Sequence, residues 1–208
     1  NHFDALHLLG VLAHQEGRYD AAIETICRAV ALDASAYPAF NNLGLAFQAV
    51  GNLQEAERCF VQSVTLNETY ADARFNLALL QHGQGRCGEA AVGLRKVVSQ
   101  RPEFAEAHHN LGAALQSMHE WDEAIASYRR ALALQPGLAE AHFNLARALE
   151  ATGKTGEALT VYQEALVLQP EMAEAHFFIG SILQDQGMLD DALECFATAL
   201  SLKPEYPE

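Results

Sequence analysis

Positive charge is scarce in this chain. Only 13 lysines and arginines stand against 27 aspartates and glutamates, a formal charge of −14 over 208 residues. A chain that acidic repels phosphate backbones and anionic headgroups, which argues against nucleic acid and membrane as partners. A neutral or basic peptide or protein ligand is expected instead. Long apolar runs are missing too: none approaches the ~18 residues of a membrane span. The opening NHFDALHLLG has no initiator Met, no basic stretch and no small-residue cleavage site, so it is not a signal peptide. It already reads as helix, and a segment of a longer protein is expected. Cysteine is sparse, and Cys27, Cys59, Cys87 and Cys195 form no CxxC and no zinc spacing. A half-apolar chain of this length has core enough without staples. The four are therefore read as reduced, small apolar residues on helices, in a reducing compartment such as the cytoplasm.

What the chain has is repetition. EFAEAHHNLGAAL (103–115), GLAEAHFNLARAL (137–149) and EMAEAHFFIGSIL (171–183) align at an offset of 34 residues. The same register divides the chain into 3–36, 37–70, 71–104, 105–138, 139–172 and 173–206, six units without an insertion, read as one domain over 1–208. Numbered from 1 to 34 within each unit, position 8 is Gly10, Gly44, Ala78, Gly112, Ala146 and Gly180. Position 20 is Ala22, Ala56, Ala90, Ala124, Ala158 and Ala192, and position 24 is Ile26, Phe60, Leu94, Tyr128, Tyr162 and Phe196. Pro102, Pro136, Pro170 and Pro204 stand at position 32.

Positions 4, 7, 8 and 11 follow the i, i+3, i+4, i+7 spacing of one helix face, and positions 20, 24 and 27 that of a second. The expected helices cover positions 2–14 and 18–31. Small residues at 8 and 20 let the two backbones approach closely, and the large residue at 24 fills the space beside them. Gly17, Gly51, Gly85, Gly153 and Gly187 fall between the helices, where a left-handed residue closes the first one. His119 takes that place in the fourth unit. Asp20, Asp122 and Asp190 stand at the start of second helices, where a carboxylate caps free N–H groups. The proline stops the second helix.

Small-xx-Leu-Gly, Ala-xxx-aromatic and then Pro on a 34-residue period resembles the tetratricopeptide repeat. The resemblance covers nearly the whole chain. It implies an all-α fold, a right-handed superhelical solenoid of six helical hairpins whose concave groove is lined by the first helices.

With positions 4, 7, 8 and 11 turned to the core, positions 2, 5, 6, 9, 12 and 13 face the groove. Position 6 supplies Asn42, Asn76, Asn110 and Asn144, four successive amides. Each offers donors and an acceptor, the complement of a peptide unit. With helices ~8–10 Å apart and an extended chain advancing ~3.3 Å per residue, one asparagine meets about every third ligand residue. The alternative is that these amides satisfy groups between repeats. Position 5 supplies His7, Asn41, Phe75, His109, Phe143 and Phe177, either recognition surfaces or rings partly buried against the next helix. Position 2 carries Asp4, Asp72, Glu106, Glu140 and Glu174, explained largely as first-turn carboxylates favouring the helix dipole. Arg147 at position 9 is the only cation plainly facing inward, too few for a clamp on an acidic peptide terminus.

His108, His142 and His176 sit one repeat apart, ~10 Å, too far to share a zinc ion. No metal, cofactor or catalytic constellation emerges, and the segment is read as non-enzymatic. The expected function is a protein-interaction scaffold that binds an extended peptide or partner protein. Stretches such as NNLGLAFQAVGNLQEAERCF and AEAHFNLARALEATGKTGEAL are also similar to the N-terminal superhelix of O-linked N-acetylglucosamine transferases. That resemblance implies an alternative: substrate recognition by the groove asparagines for a glycosyltransferase domain beyond residue 208. Exposed leucines of the terminal repeats, with Tyr206 and Pro207 in place of a capping helix, further predict weak end-to-end self-association opposed by the net charge.

Overall fold

The structure is a computed structural model that describes residues 2–203. The first helices of the six repeats are α1 (His2–Gln15), α3 (Tyr37–Ala49), α5 (Ala71–Gly83), α7 (Ala105–Ser117), α9 (Ala139–Ala151) and α11 (Ala173–Asp185). The second helices are α2 (Tyr19–Leu32), α4 (Leu53–Leu66), α6 (Cys87–Gln100), α8 (Trp121–Leu134), α10 (Thr155–Leu168) and α12 (Leu189–Leu202). No strand occurs among the described residues. From the second repeat on, the helices fill positions 1–13 and 17–30, one residue earlier than the periodicity predicts. The hairpins form two compact units, Asn1–Pro102 and Glu103–Glu208, divided close to the seam between the third and fourth repeats.

The four hairpins with glycine at position 8 are clasped where it meets position 24. A Cβ added to Gly44 would lie 2.6 Å from the Phe60 ring, one on Gly112 2.7 Å from Tyr128, and one on Gly180 2.8 Å from Phe196. Real Cβ atoms do not approach that closely, so the backbone itself is the floor on which the large side chain rests. The alanines at position 20 complete the crossing: Ala22, Ala56, Ala90, Ala124 and Ala158 are fully buried, and Ala192 nearly so. The close approach read from the sequence is the observed one.

All six first helices end in the same way. The left-handed residue donates its N–H three residues back, and the next residue donates five back, as in Gly51 to Gln48 (3.0 Å) and Asn52 to Phe47 (2.9 Å). Five of these residues are glycines with φ between 74° and 79°, and the sixth is His119 at 61°. His119 keeps both bonds, to Gln116 (from its own N–H, 3.0 Å) and through Glu120 to Leu115 (2.9 Å). Its ring lies 5.3 Å from that of Trp121.

The second helices begin differently from expectation. Asp20, Asp122 and Asp190 lie inside the first turn, and the residues before those helices, Arg18, Glu120 and Met188, form no side-chain cap. These carboxylates therefore act through the helix dipole, not as caps. Asn52 does cap, accepting from Glu55 N–H at 3.3 Å. At the other end, Arg101, Gln135 and Gln169 precede the prolines with φ from −132° to −139° and ψ from 77° to 88°, outside the helical region that a following proline disfavours. Pro204 lies outside the described residues, as do Tyr206 and Pro207. The first two repeats lack proline at position 32 yet adopt a similar geometry at Asp33 and Asn67. There the side chain accepts from the backbone and hydroxyl two residues on: Asp33 from Ser35 (2.9 and 2.6 Å), Asn67 from Thr69 (3.0 and 2.8 Å). These polar turns do the work of proline.

Within each unit the first helix is buried on two stripes. Position 4 was expected to face the core, yet Phe40, Arg74, His142 and His176 are only half-buried. Positions 3 and 10 lie deeper: Ala39, Ala73, Ala107, Ala141 and Ala175 are fully buried, as are Ala46, Ala114 and Ala148. The reason is that, within each unit, α3, α5, α9 and α11 pack against their own partners and also against the preceding hairpin. Ala39 and Leu43 accordingly cluster with Ile26 and Cys59, and Ala46 with Ala13 and Ala22. Histidines at position 4 latch the seam instead, His142 Nε2–H donating to the Pro136 carbonyl (2.9 Å) and His176 to that of Pro170 (3.0 Å). The cysteines are free: Cys27 is exposed, Cys87 and Cys195 half-buried, and burial pushes the Cys59 thiol up to about 12. In α12, Leu189, Leu193 and Leu200 are exposed.

Two outcomes follow from this packing. Ala124→Leu forces a larger side chain into a filled crossing and lowers stability by about 1–3 kcal/mol, read as a lower urea midpoint. His119→Gly relieves a left-handed non-glycine residue and raises stability by about 1 kcal/mol; a lowered melting temperature would show that the contact with Trp121 outweighs the strain.

Candidate functional site

Three of the four predicted asparagines bind the neighbouring repeat. Asn42 Nδ2–H donates to His7 Nε2 (2.9 Å), Asn76 Nδ2–H to Asn41 Oδ1 (2.9 Å), and Asn144 Nδ2–H to His109 Nε2 (3.1 Å). Each link joins position 6 to position 5 of the preceding repeat, 35 residues earlier. Asn110 donates to the Glu106 carbonyl of its own helix (2.7 Å). Asn41, expected in the groove, is 4% exposed, so its amide is shut off from any ligand. The ladder is thus, in these three places, a set of seam bonds. The physical cause is the second packing stripe, which draws positions 5 and 6 toward the neighbouring helix.

The predicted aromatic positions divide. Phe75 is half-buried on α5. Phe143 is half-buried, its ring 5.7 Å from Tyr162 and 5.9 Å from Phe178. His109 lies 5.8 Å from Tyr128. Phe177 remains 38% exposed beside Phe178 and Phe196. Arg147 is exposed, and its guanidinium sits over the Phe178 ring at 5.6 Å.

Arg147 and Phe178 border an open cavity of about 360 Å³ with Gln116, Trp121, Glu150 and Ala151. A second cavity, of about 340 Å³, lies against Trp121 and is lined by His119, Glu120, Asp122, Glu123 and Thr152. Gln116 and Glu150 both occupy position 12, and buried tyrosines hold both. Tyr128 O–H donates to Gln116 Oε1 (2.8 Å), and Tyr162 O–H donates to Glu150 Oε2 (2.9 Å). Burial pushes both phenols well above the ordinary tyrosine value, and the neighbouring Glu150 charge raises Tyr162 further. Both hydroxyls are therefore fixed donors around neutrality. Sequence reasoning assigns position 12 to the groove but attaches no residue to it. The available signal is that position 24 is tyrosine only in the fourth and fifth repeats, each with a Gln or Glu twelve residues earlier.

Among the described residues, no three or more His, Cys, Asp or Glu side chains gather as metal ligands, and no helix is long and apolar enough to cross a membrane.

The asparagine links carry a pH dependence. An amide N–H can only donate, so His7 and His109 must accept with neutral rings. Burial lowers the pKa of both below the ordinary 6.5, against smaller opposing effects of Asp4 and Glu140. A histidine with a lowered folded pKa contributes stability that is complete above the unfolded value and lost as pH falls through the folded one. The urea midpoint is expected to drop on acidification below about pH 6.5, and His109→Asn, which copies the Asn41–Asn76 pair, to reduce that drop.

Tetratricopeptide repeat models match residues 3–35, 41–102, 103–171 and 173–206. No curated protein sequence matches the chain. Among solved structures it is similar to PilF of Pseudomonas aeruginosa, with TM-score 0.84 at 19% identity over 98% of this chain and 93% of that one. YrrB, described as a TPR protein with an unusual peptide-binding site, gives 0.77 at 20% over 88% and 95%. MamA of Desulfovibrio magneticus RS-1, from residue 41 to its end, gives 0.76 at 19% over 83% and 97%. At these identities the likeness is one of fold. With six hairpins of the expected period and repeat models from end to end, the chain belongs to the tetratricopeptide repeat family.

Proposed function

We propose that this chain is a protein-interaction scaffold that takes an extended peptide segment along the first-helix face of residues 103–203. The observation that supports it is the pair of buried tyrosine hydroxyls. Phe60 and Phe196 fill position 24 without a hydroxyl, so the hairpin clasp does not need one. In Tyr128 and Tyr162 the hydroxyl instead fixes a polar side chain on the first-helix face. A side chain held in one place before binding loses less freedom on binding. Gln116 offers amide N–H groups for a peptide carbonyl, Glu150 an acceptor for a peptide N–H, and Arg147 a further donor, this one cationic. One repeat apart, at ~8–10 Å, they match about every third residue of an extended chain. Asn110 and Phe177 are the accessible members of the predicted set that extend this surface. The excess of acidic residues favours a neutral or basic ligand, with association that slows as salt rises. The glycosyltransferase alternative uses the same grip to present a peptide to a catalytic domain outside these residues; sugar transfer to the bound peptide by the longer protein is its test.

The scaffold reading is tested with peptides selected from a random displayed library and titrated by calorimetry. The double variant Gln116→Ala, Glu150→Ala is expected to weaken binding about a hundredfold, the loss of one neutral and one charged hydrogen bond, while staying folded at the titration temperature, with a melting temperature lowered because the Tyr128 and Tyr162 hydroxyls lose their acceptors. Asn144→Ala is expected to lower the melting temperature and leave affinity near wild type. A selected peptide that binds the double variant as tightly as wild type overturns the reading.

A further inference from the structure

The cavity beside Trp121 has a composition that selects among side chains. Two of its walls are aromatic, the indole of Trp121 and the ring of Phe178. Phe178 is itself a member of a ring cluster, stacked on Tyr162 at 5.7 Å and edge-on to Phe177 at 5.6 Å. The Arg147 guanidinium lies over Phe178, and a guanidinium plane is a surface on which further rings stack. Opposite charges, Arg147 and Glu150, stand on the rim. A cationic ligand side chain meets Arg147, and an anionic one meets Glu150 and the acidic surface of the whole chain. A neutral, planar group meets no repulsion, extends the aromatic cluster and leaves its polar edge to Gln116 and Glu150.

We propose that this cavity is the specificity pocket of the scaffold and takes one aromatic side chain of the bound peptide between Trp121 and Phe178. The pocket rests on the peptide-binding reading above and names the residue type that reading leaves open. Its walls are built before the ligand arrives. Tyr128 and Tyr162, both without solvent exposure, fix Gln116 and Glu150, and the ring cluster fixes Phe178. Trp121 borders a second cavity as well, so the indole meets open space on more than one side.

Trp121 is the only tryptophan of the chain, so its emission reports the two cavities that it borders, and Ala151, which lines the first and not the second, tells them apart. The probes are blocked tripeptides, Ac-Ala-Phe-Ala-NH2 and Ac-Ala-Ala-Ala-NH2, titrated with excitation selective for tryptophan. The phenylalanine peptide is expected to give a saturable change in emission, and the alanine peptide to bind at least about tenfold more weakly. Phe178→Ala tests the wall directly but removes a packed ring. Ala151→Leu avoids that difficulty, because Ala151 is exposed at the end of α9 and a leucine there fills the cavity without entering the core. Its circular dichroism and melting temperature are expected to match wild type, and its response to the phenylalanine peptide to vanish. Equal binding of the two tripeptides, or no response to either, overturns the pocket. A library-selected peptide without an aromatic residue that still loses affinity in the Gln116→Ala, Glu150→Ala variant overturns the pocket while the scaffold reading stands. Failure of both sets of measurements removes both.

Discussion

The fold depends on small side chains where the two helices of a hairpin cross, glycine at position 8 in four of the six repeats and alanine in the other two. Where position 8 is glycine, the ring or branched side chain at position 24 lies against bare backbone, at distances that would put a Cβ 2.6–2.8 Å from a ring carbon in three of the hairpins. That approach sets the interhelical distance, and the distance lets position 20 alanines close the crossing without a void. Burial per residue is small for alanine, and the gain comes from fit, since close-packed interiors lose stability for each methylene misplaced in either direction. The third repeat carries Ala78 at position 8 and has Gly93 facing it, where a Cβ would come 3.3 Å from that methyl. Small residues have changed sides, and the spacing is kept.

The fold was legible because its determinants are local and recur. A helix stop made by glycine, a proline after the second helix and a small residue at a crossing are each visible within a few residues, and six copies make them unmistakable. His119 could be flagged for the same reason, as a departure from five glycines. The polar turns at Asp33 and Asn67 are equally local and were readable in principle, though a search for proline passes over them. The carboxylates Asp20, Asp122 and Asp190 illustrate a limit: N-cap and first-turn positions differ by two residues, and the same side chain serves either.

The candidate site was less legible, because each of its contacts spans a helix or a repeat. Asn42, Asn76 and Asn144 find partners 35 residues back, and nothing within one repeat reveals whether a polar residue on that edge faces a ligand or the next helix. The tyrosine hydroxyls reach side chains twelve residues earlier, across the hairpin turn. Averaging over repeats, which makes the fold plain, hides such features. Tyr128 and Tyr162 look like two more large residues at position 24. A site in a repeat protein resides in what distinguishes one repeat from another, and those differences have to be read repeat by repeat.

The links between positions 5 and 6 also bear on how such a chain can change over generations. Arrays of this kind grow and shrink by whole repeats, and an unlabelled seam would accept any neighbour. Here a polar residue at position 5 meets an amide in the next repeat, as in His7 with Asn42 and Asn41 with Asn76, whereas Phe143 meets Phe178 ring to ring. Loss of the second repeat would set His7 against Asn76, a pairing already used by His109 and Asn144. Loss of the fifth would set His109 against Phe178, stranding a half-buried imidazole opposite a ring with no donor. The seams therefore act as a record of order, tolerant of deletion at one point of the array and intolerant at another.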